Sequence, residues 1–440
     1  MERTTVTGAT AGTAHEVLTN WAGNYTYRAA RLHHPATVDE IRALVAGAAR
    51  VKVLGSRHSF NAVADTTGDL LSLEHMDRVL DIDGERQTVT VEGGIRYGTL
   101  ARALSDAGYA LHNLASLPHI SVAGACATGT HGSGDGNANL ATAVAAIEFV
   151  TATGDLVTLA RERDGDTFRG AVVALGGLGV VTRLTLDVHP AYDIVQHVYE
   201  DVPLADLEGG LDDVLGSAYS VSVFTRWTGP RVDQIWLKRR PTPEWSGYGD
   251  WSLPTALRGA TPASDHRHPI LGISPVHCTA QLGVAGPWHD RLPHFRLDYT
   301  PSSGAELQTD YLVPREHARA ALRAVDALRE RIAPLLLVSE LRTVAADDLW
   351  MSPCYRRDCL SIHFTWKPDG AAVRALLPTI EAALAPFRAR PHWGKLFTVA
   401  PARIAGFYER LPDFRDLLAA YDPAGKFRNA FLDRYIGRAA

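Results

Sequence analysis

The stretch Val51-Lys52-Val53-Leu54-Gly55-Ser56-Arg57-His58-Ser59-Phe60-Asn61 constrains this chain more than any other. Val51, Val53 and Leu54 suit a buried parallel strand, and Gly55 marks the point where the chain turns, since glycine takes φ > 0 without a Cβ penalty. Ser56, Arg57, His58 and Ser59 then offer successive N–H groups and hydroxyls at the carboxyl end of that strand, where α/β sheets hold their ligands. Phosphate is the natural guest. No G-x-G-x-x-G opens a helix here, so the turn is not a Rossmann fingerprint.

A second segment, Ala115 to Gly134, is built almost wholly of small residues, so a ligand can approach its backbone and collect N–H and hydroxyl hydrogen bonds. Ile120, Val122 and the alanines make it too apolar for a solvated linker. The two segments together suit a large, flat or phosphorylated cofactor.

Bulk properties narrow the partners. The 440 residues can build two or three domains, and a net charge of −5 without long basic runs argues against nucleic acid or an anionic membrane. Met1 to Glu16 is polar and threonine-rich, and no later apolar run reaches spanning length, so neither signal peptide nor anchor is expected and a cytoplasmic location is. Cys126, Cys278, Cys354 and Cys359 show no C-x-x-C spacing, which predicts reduced thiols and no metal site.

Periodicity predicts a helix over Val38 to Ala49 leading into the Val51 strand, then strands at Leu70 to Leu73, Arg78 to Ile82 and Thr88 to Val91 and a helix from Tyr97 to Ala107. Ala145 to Thr151, Leu156 to Ala160 and Val180 to Val188 complete an α+β unit near residue 190. From about Ile194 the strands lengthen. Pro314 is expected to open a helix with Ala321, Leu322, Val325, Leu328 and Ile332 on one face, and Arg239 to His268 reads as a long loop. A last strand and helix are expected after Lys395.

Two predicted strands carry polar faces. Leu336 to Val344 places Glu340 and Arg342 on one side, and Ser361 to Trp366 places His363 and Thr365 on one side. Glu340 accepts when ionised, Arg342 only donates, and Thr365 and Ser116 do either, a set that reads hydroxyl positions along a polyol.

The pair V-L-G-S-x-H-S-F-N and L-P-H-I-S-V-A-G-x-x-A-T-G-T-H-G-S-G resembles the FAD loops of the vanillyl-alcohol-oxidase flavoproteins, and within them the alditol oxidases and sugar-1,4-lactone oxidases. The similarity continues through N-W-A-G-N at Asn20, L-G-G-L-G-V-V-T at Leu175, E-L-R-T-V-A-A-D at Glu340, H-F-T-W at His363, H-W-G-K at His392 and D-P-A-G-K-F-R-N at Asp422. It covers essentially the whole chain.

This resemblance implies an α+β architecture: a two-subdomain FAD-binding domain over residues 1–190, a substrate cap with an antiparallel sheet over 191–397, and a tail, 398–440, returning to the FAD domain. It implies FAD bonded covalently to His58, with further contacts from Val53, Leu54, Gly55, Ser56, Arg57, Ser59, Ser116, Ser121, Gly124, Thr128, Gly129, Thr130, His131, Val181, Arg342 and His392. Ser116, Glu340, Arg342, Thr365 and Lys395 are the implied substrate contacts, with His363, Lys395 and Arg342 catalytic. The implied reaction is oxidation of an alditol's terminal primary alcohol by a monomer, with O2 reduced to H2O2. A lactone oxidase or dehydrogenase of the same fold is the first alternative, and a flavin-bearing sugar-binding protein the second.

Three positions depart from the wider pattern. Arg57 stands where the lactone-oxidase relatives carry glycine, Ala125-Cys126 replaces a serine-valine pair, and His112 replaces proline. Some relatives attach their flavin through a cysteine as well as a histidine, which makes Cys126 a candidate for a second bond.

Overall fold

The computed structural model describes residues 17–241, 253–299 and 304–437. Met1–Glu16 and part of the proline- and tryptophan-rich stretch after Arg239 lie outside the described residues.

Three strands, Arg31–His33, Asp69–Ser72 and Val51–Leu54, pair in parallel with Asp69–Ser72 in the middle. Parallel neighbours need a crossover, and the helix Val38–Gly47 supplies one. Thr37 starts it: its hydroxyl accepts the Glu40 N–H at 3.2 Å, and the Glu40 carboxylate accepts the Ala36 N–H at 2.7 Å. Ile41 and Val45 then bury against Val51 and Leu71. Lys52, also buried, donates to the carbonyls of Leu175, Gly176 and Phe427, and Val51 N–H donates to Lys426 C=O at 2.9 Å. The C-terminal tail is thereby tied to the first sheet.

A five-stranded antiparallel sheet follows in the order Val79–Asp83, Thr88–Glu92, Val180–Asp187, Val144–Val150 and Leu156–Ala160. Among the described residues the largest sheet has nine antiparallel strands. Its central order is Asp193–Pro203, Arg231–Arg239, Ser220–Thr225, Leu336–Val344, Cys359–Trp366, Leu307–Pro314 and Arg390–Pro391. Leu341, Ile362, Phe364 and Tyr311 bury with helices Ala318–Asp326 and Gly370–Leu384. Alternation turns the polar residues of the same strands to the opposite face.

The structure corrects two expectations. Pro314 ends a strand: its φ of −50° is helical but its ψ of 136° is extended, and the helix starts only at Ala318. That helix stops at Asp326, and Ile332 belongs to a separate short helix, Arg329–Ile332. After Lys395 no strand forms among the described residues. Leu396 N–H makes one bond to Gln308 C=O at 3.0 Å, and the chain continues into the helices Pro401–Ala405, Leu411–Tyr421 and Ala430–Tyr435. No helix among the described residues is long and apolar enough to cross a membrane.

Candidate active site

A cavity of about 1750 Å³ runs from the ends of the parallel strands to the polar face of the nine-stranded sheet. Its two loops hold each other: Ser56 N–H donates to Ser121 Oγ at 3.4 Å, and Ser121 N–H donates to Ser56 Oγ at 3.1 Å. Gly55 and Gly124 flank this clasp, and a Cβ on either would lie 2.5 or 2.6 Å from Ser121 Oγ. A side chain at Gly55 would therefore have to push the Ser121 hydroxyl out of this clasp. The left-handed residue of the turn is Arg57, at φ +63°.

N-W-A-G-N clamps the same turn. Asn20 Nδ2 donates to Ser59 C=O at 3.0 Å, Asn24 Nδ2 to Phe60 C=O at 2.9 Å, and Trp21 N–H to Arg57 C=O at 2.8 Å. The Trp21 ring stacks on His58 with centroids 4.9 Å apart. Burial, aided by the Lys395 cation, pushes the His58 imidazole down to about 3, so the ring is neutral and keeps a nucleophilic lone pair.

The Arg57 guanidinium turns out of the loop, where it donates to Thr19 C=O at 3.3 Å. Its left-handed backbone costs roughly 1 kcal/mol that glycine would not. Arg57→Gly is expected to leave flavin content unchanged and hold or raise the melting temperature by up to a few degrees. Arg57→Val, β-branched at positive φ, is expected to lower it; thermal melts of both variants check the pair.

Of the anticipated cofactor contacts, all of Val53 to Ser59, with Ser116, Ser121, Gly124, Thr128, Thr130, His131, Val181, Arg342 and His392, border the cavity. Gly129 does not. It reverses the chain after the helix Val122–Ala127 at φ +65°, packed on Pro353. Cys126 is also absent from this wall; its thiol lies 3.8 Å from the Tyr97 hydroxyl, and burial pushes it up to about 12. A thiol so reluctant to ionise is a packing residue. His112 is likewise off the wall and half-buried, its carbonyl accepting the Tyr192 hydroxyl at 3.2 Å.

Strand register assembles the polar face. Phe224, Glu340, His363 and Asp310 stand abreast, because Phe224 pairs with Glu340, Glu340 with His363, and His363 with Asp310. Asp310 is the hub. It accepts from Ser361 Oγ at 2.8 Å, lies 3.1 Å from His131 Nε2, and faces His363 Nδ1 at 3.6 Å and Arg342 Nη2 at 3.8 Å. Against burial, which raises it, the His131 hydrogen bond and the nearby His363 ring hold its carboxyl well below the usual range.

Glu340 is similar: against burial, Arg342 and His294 keep it ionised, with His294 Nε2 at 2.8 Å. Lys395 Nζ donates to Gln308 Oε1 and sits 4.9 Å from the centre of the Phe60 ring. Burial lowers it to about 8, opposed by Asp310. His363 Nε2 lies 3.3 Å from Thr365 Oγ1.

Asp310, Gln308 and His294 escaped the sequence reading. Gln308 and Asp310 alternate in Leu307–Pro314, so period two could have paired them on one face. His294 sits in irregular chain and left no such signal.

Two features fit an anionic cofactor. Among the described residues, no protein acceptor takes the N–H groups of Arg57, His58 or Ser59. Nor does any accept a hydrogen bond from the buried Arg342 guanidinium, whose Nε has Glu340 Oε2 only at 3.5 Å. A buried guanidinium with unspent donors is costly without a ligand.

Residues 29–160 match a family model described as an FAD binding domain. An alditol oxidase of a Streptomyces species is 49% identical over 94% of this chain and 98% of that protein. This chain belongs to the alditol oxidase family. FAD is thus the cofactor of this alditol oxidase family member, and its two loops and Arg342 fit that cofactor. Residues 305–435 match a model described as D-arabinono-1,4-lactone oxidase, and the L-gulono-1,4-lactone dehydrogenase of Mycobacterium tuberculosis is 28% identical over 96% of this chain and 99% of that one. The fold recurs in a xylooligosaccharide oxidase from Myceliophthora thermophila, with TM-score 0.75 and 17% identity over 98% of this chain and 97% of that one. A solvent-stable cholesterol oxidase gives TM-score 0.74 and 17% identity, covering 95% and 97% of the two chains.

Proposed function

We propose that this protein oxidises the terminal primary alcohol of alditols such as xylitol and sorbitol to the aldose, with dioxygen reduced to hydrogen peroxide. The observation that carries this reading is the donor and acceptor set around the cavity. Glu340 is ionised and only accepts, Arg342 and Lys395 donate, and Thr365 and Ser116 do both, all lining the same cavity. A chain of hydroxyls, each donor and acceptor, satisfies such a set.

Residues 1–190 with 398–440 would hold FAD, and 191–397 would hold the polyol. Val53 to Ser59, with Ser116, Ser121, Gly124, Thr128, Thr130, His131 and Val181, would cradle the cofactor, His58 through a covalent bond, while Arg342 and His392 would face its ring. Bound FAD supplies the hydride acceptor for C1 and the electrons that reduce dioxygen.

The chain's own residues handle the rest. Lys395, as the neutral amine, takes the C1 hydroxyl proton. His363, kept neutral by burial and steadied by Asp310, hydrogen-bonds the same oxygen. Arg342 offers its unspent N–H groups to charge that builds at the cofactor. Glu340 and Thr365 read hydroxyls further along the polyol.

A lactone presents a carbonyl near its reacting carbon, which an acceptor-only Glu340 serves poorly. Purified protein under air is expected to release one peroxide per xylitol or sorbitol oxidised and to act far more slowly on L-gulono-1,4-lactone. Faster turnover of the lactone would transfer the reading to a lactone oxidase, and polyol oxidation without peroxide would make it a dehydrogenase.

A further inference from the structure

Glu340 ends a buried chain of three ionisable side chains, and the chemistry above leaves the other two, Lys238 and His294, unused. Lys238 lies in the strand Arg231–Arg239 and is 1% exposed; His294 is 5% exposed and Glu340 6%. Lys238 Nζ meets three acceptors, the carbonyls of Leu292 at 2.5 Å and Pro293 at 3.2 Å and the Nδ1 of His294 at 3.2 Å. An ammonium has three N–H donors and no lone pair, so this environment uses all of it. His294 Nδ1 must then be the lone-pair nitrogen. The ring proton is left to Nε2, which donates to Glu340 Oε1 at 2.8 Å.

The imidazole is held firmly in that role. Phe224 and Trp236 flank it edge-on, with centroids 5.5 and 5.2 Å away. Its main-chain N–H donates to Ser116 C=O at 3.1 Å, and its own carbonyl accepts the Thr279 N–H at 3.0 Å. His294 therefore joins two residues of the polyol wall, Ser116 through backbone and Glu340 through side chain. Burial and the Lys238 cation push the ring down to about 4, in keeping with a neutral donor. Burial lowers the Lys238 ammonium to about 7, opposed by Glu340, and the Glu340 carboxylate, which only accepts, keeps the ring proton on Nε2 whether Lys238 is charged or neutral.

We propose that Lys238 and His294 are positioning residues for substrate selection, which lock Glu340 as an acceptor-only carboxylate with one oxygen spent and the other left for a substrate hydroxyl. The proposal rests on the alditol reading. It makes the choice of a hydroxyl over a carbonyl at that point of the substrate depend on His294 at the cavity edge and on Lys238, which lies off the cavity behind it. A protonated or swung Glu340 would accept either.

The test compares His294→Leu, His294→Gln and Lys238→Met in the FAD-loaded enzyme. His294→Leu and Lys238→Met are expected to raise KM for xylitol by about tenfold while kcat changes by less than about threefold. His294→Gln can still donate an amide N–H to Glu340 and is expected to keep KM within about threefold of wild type. An unchanged KM in His294→Leu would overturn the proposal. So would a Gln variant as impaired as the Leu variant, since packing and not the hydrogen bond would then be at stake. Nitrogen-15 NMR of the wild-type imidazoles reads the tautomer without turnover: Nε2–H at His294 is expected, and Nδ1–H overturns the chain. A wild-type protein that shows Nε2–H yet oxidises no polyol would sink the alditol reading, and the selection role with it, while leaving the hydrogen-bonded chain in place.

Discussion

Lys395→Met is expected to lower kcat for xylitol by about 10³-fold with flavin content and absorbance unchanged, the scale on which a positioned base accelerates proton transfer. Methionine keeps much of the stem's volume, so the buried site loses its amine without a large cavity. Lys395 Nζ is held by Gln308 and the Phe60 ring, and burial brings it to about 8. The sign of the pH dependence follows. Below about 8 the ammonium has no lone pair to accept a proton; above it the neutral amine does. The wild-type kcat/KM is therefore expected to rise with pH and level off above about 8, and the variant is expected to lose that limb. Stopped-flow reduction of the flavin by xylitol across pH measures both. A wild-type limb that falls above pH 8 would instead give the role to the ammonium, as an electrostatic partner of the developing charge.

The second large effect belongs to His58. Acid-precipitated wild type is expected to keep yellow, fluorescent flavin on the polypeptide, whereas His58→Ala releases it and oxidises xylitol about tenfold more slowly, an effect of about 1.4 kcal/mol on the barrier. Three features of the turn support a tether. The imidazole is neutral, it is fixed by stacking on Trp21, and the N–H groups at Arg57, His58 and Ser59 are unspent by the protein. Free flavin from acid-treated wild type would end the covalent assignment and leave the rest of the reaction scheme untouched.

Much of this was legible in the residues. The Val51 strand, the turn after it and the small-residue loop stand out because parallel strands are apolar runs and because backbone approach demands small side chains. Glu340 with Arg342, and His363 with Thr365, were paired by the period of two alone. The turn chemistry was less transparent. A glycine at the strand end invites a positive φ, yet Gly55 serves the contact with Ser121, and the left-handed residue is Arg57, whose side chain finds Thr19 outside the loop. The helix expected from Pro314 failed for a related reason: proline sets φ but leaves ψ to its surroundings, and pairing with Cys359 made it extended.

The sequence by itself determined which residues share a face of each strand, and the loops that suit FAD, because both follow from short-range geometry. Which strands lie side by side was decided only by the tertiary structure. Asp310 became the hub of the site because register sets it beside His363, and His294 became the partner of Glu340 because an irregular segment is packed beneath Phe224 and Trp236. A lone carboxylate or imidazole carries no periodicity, so its chemistry exists only once long-range pairing has chosen its neighbours.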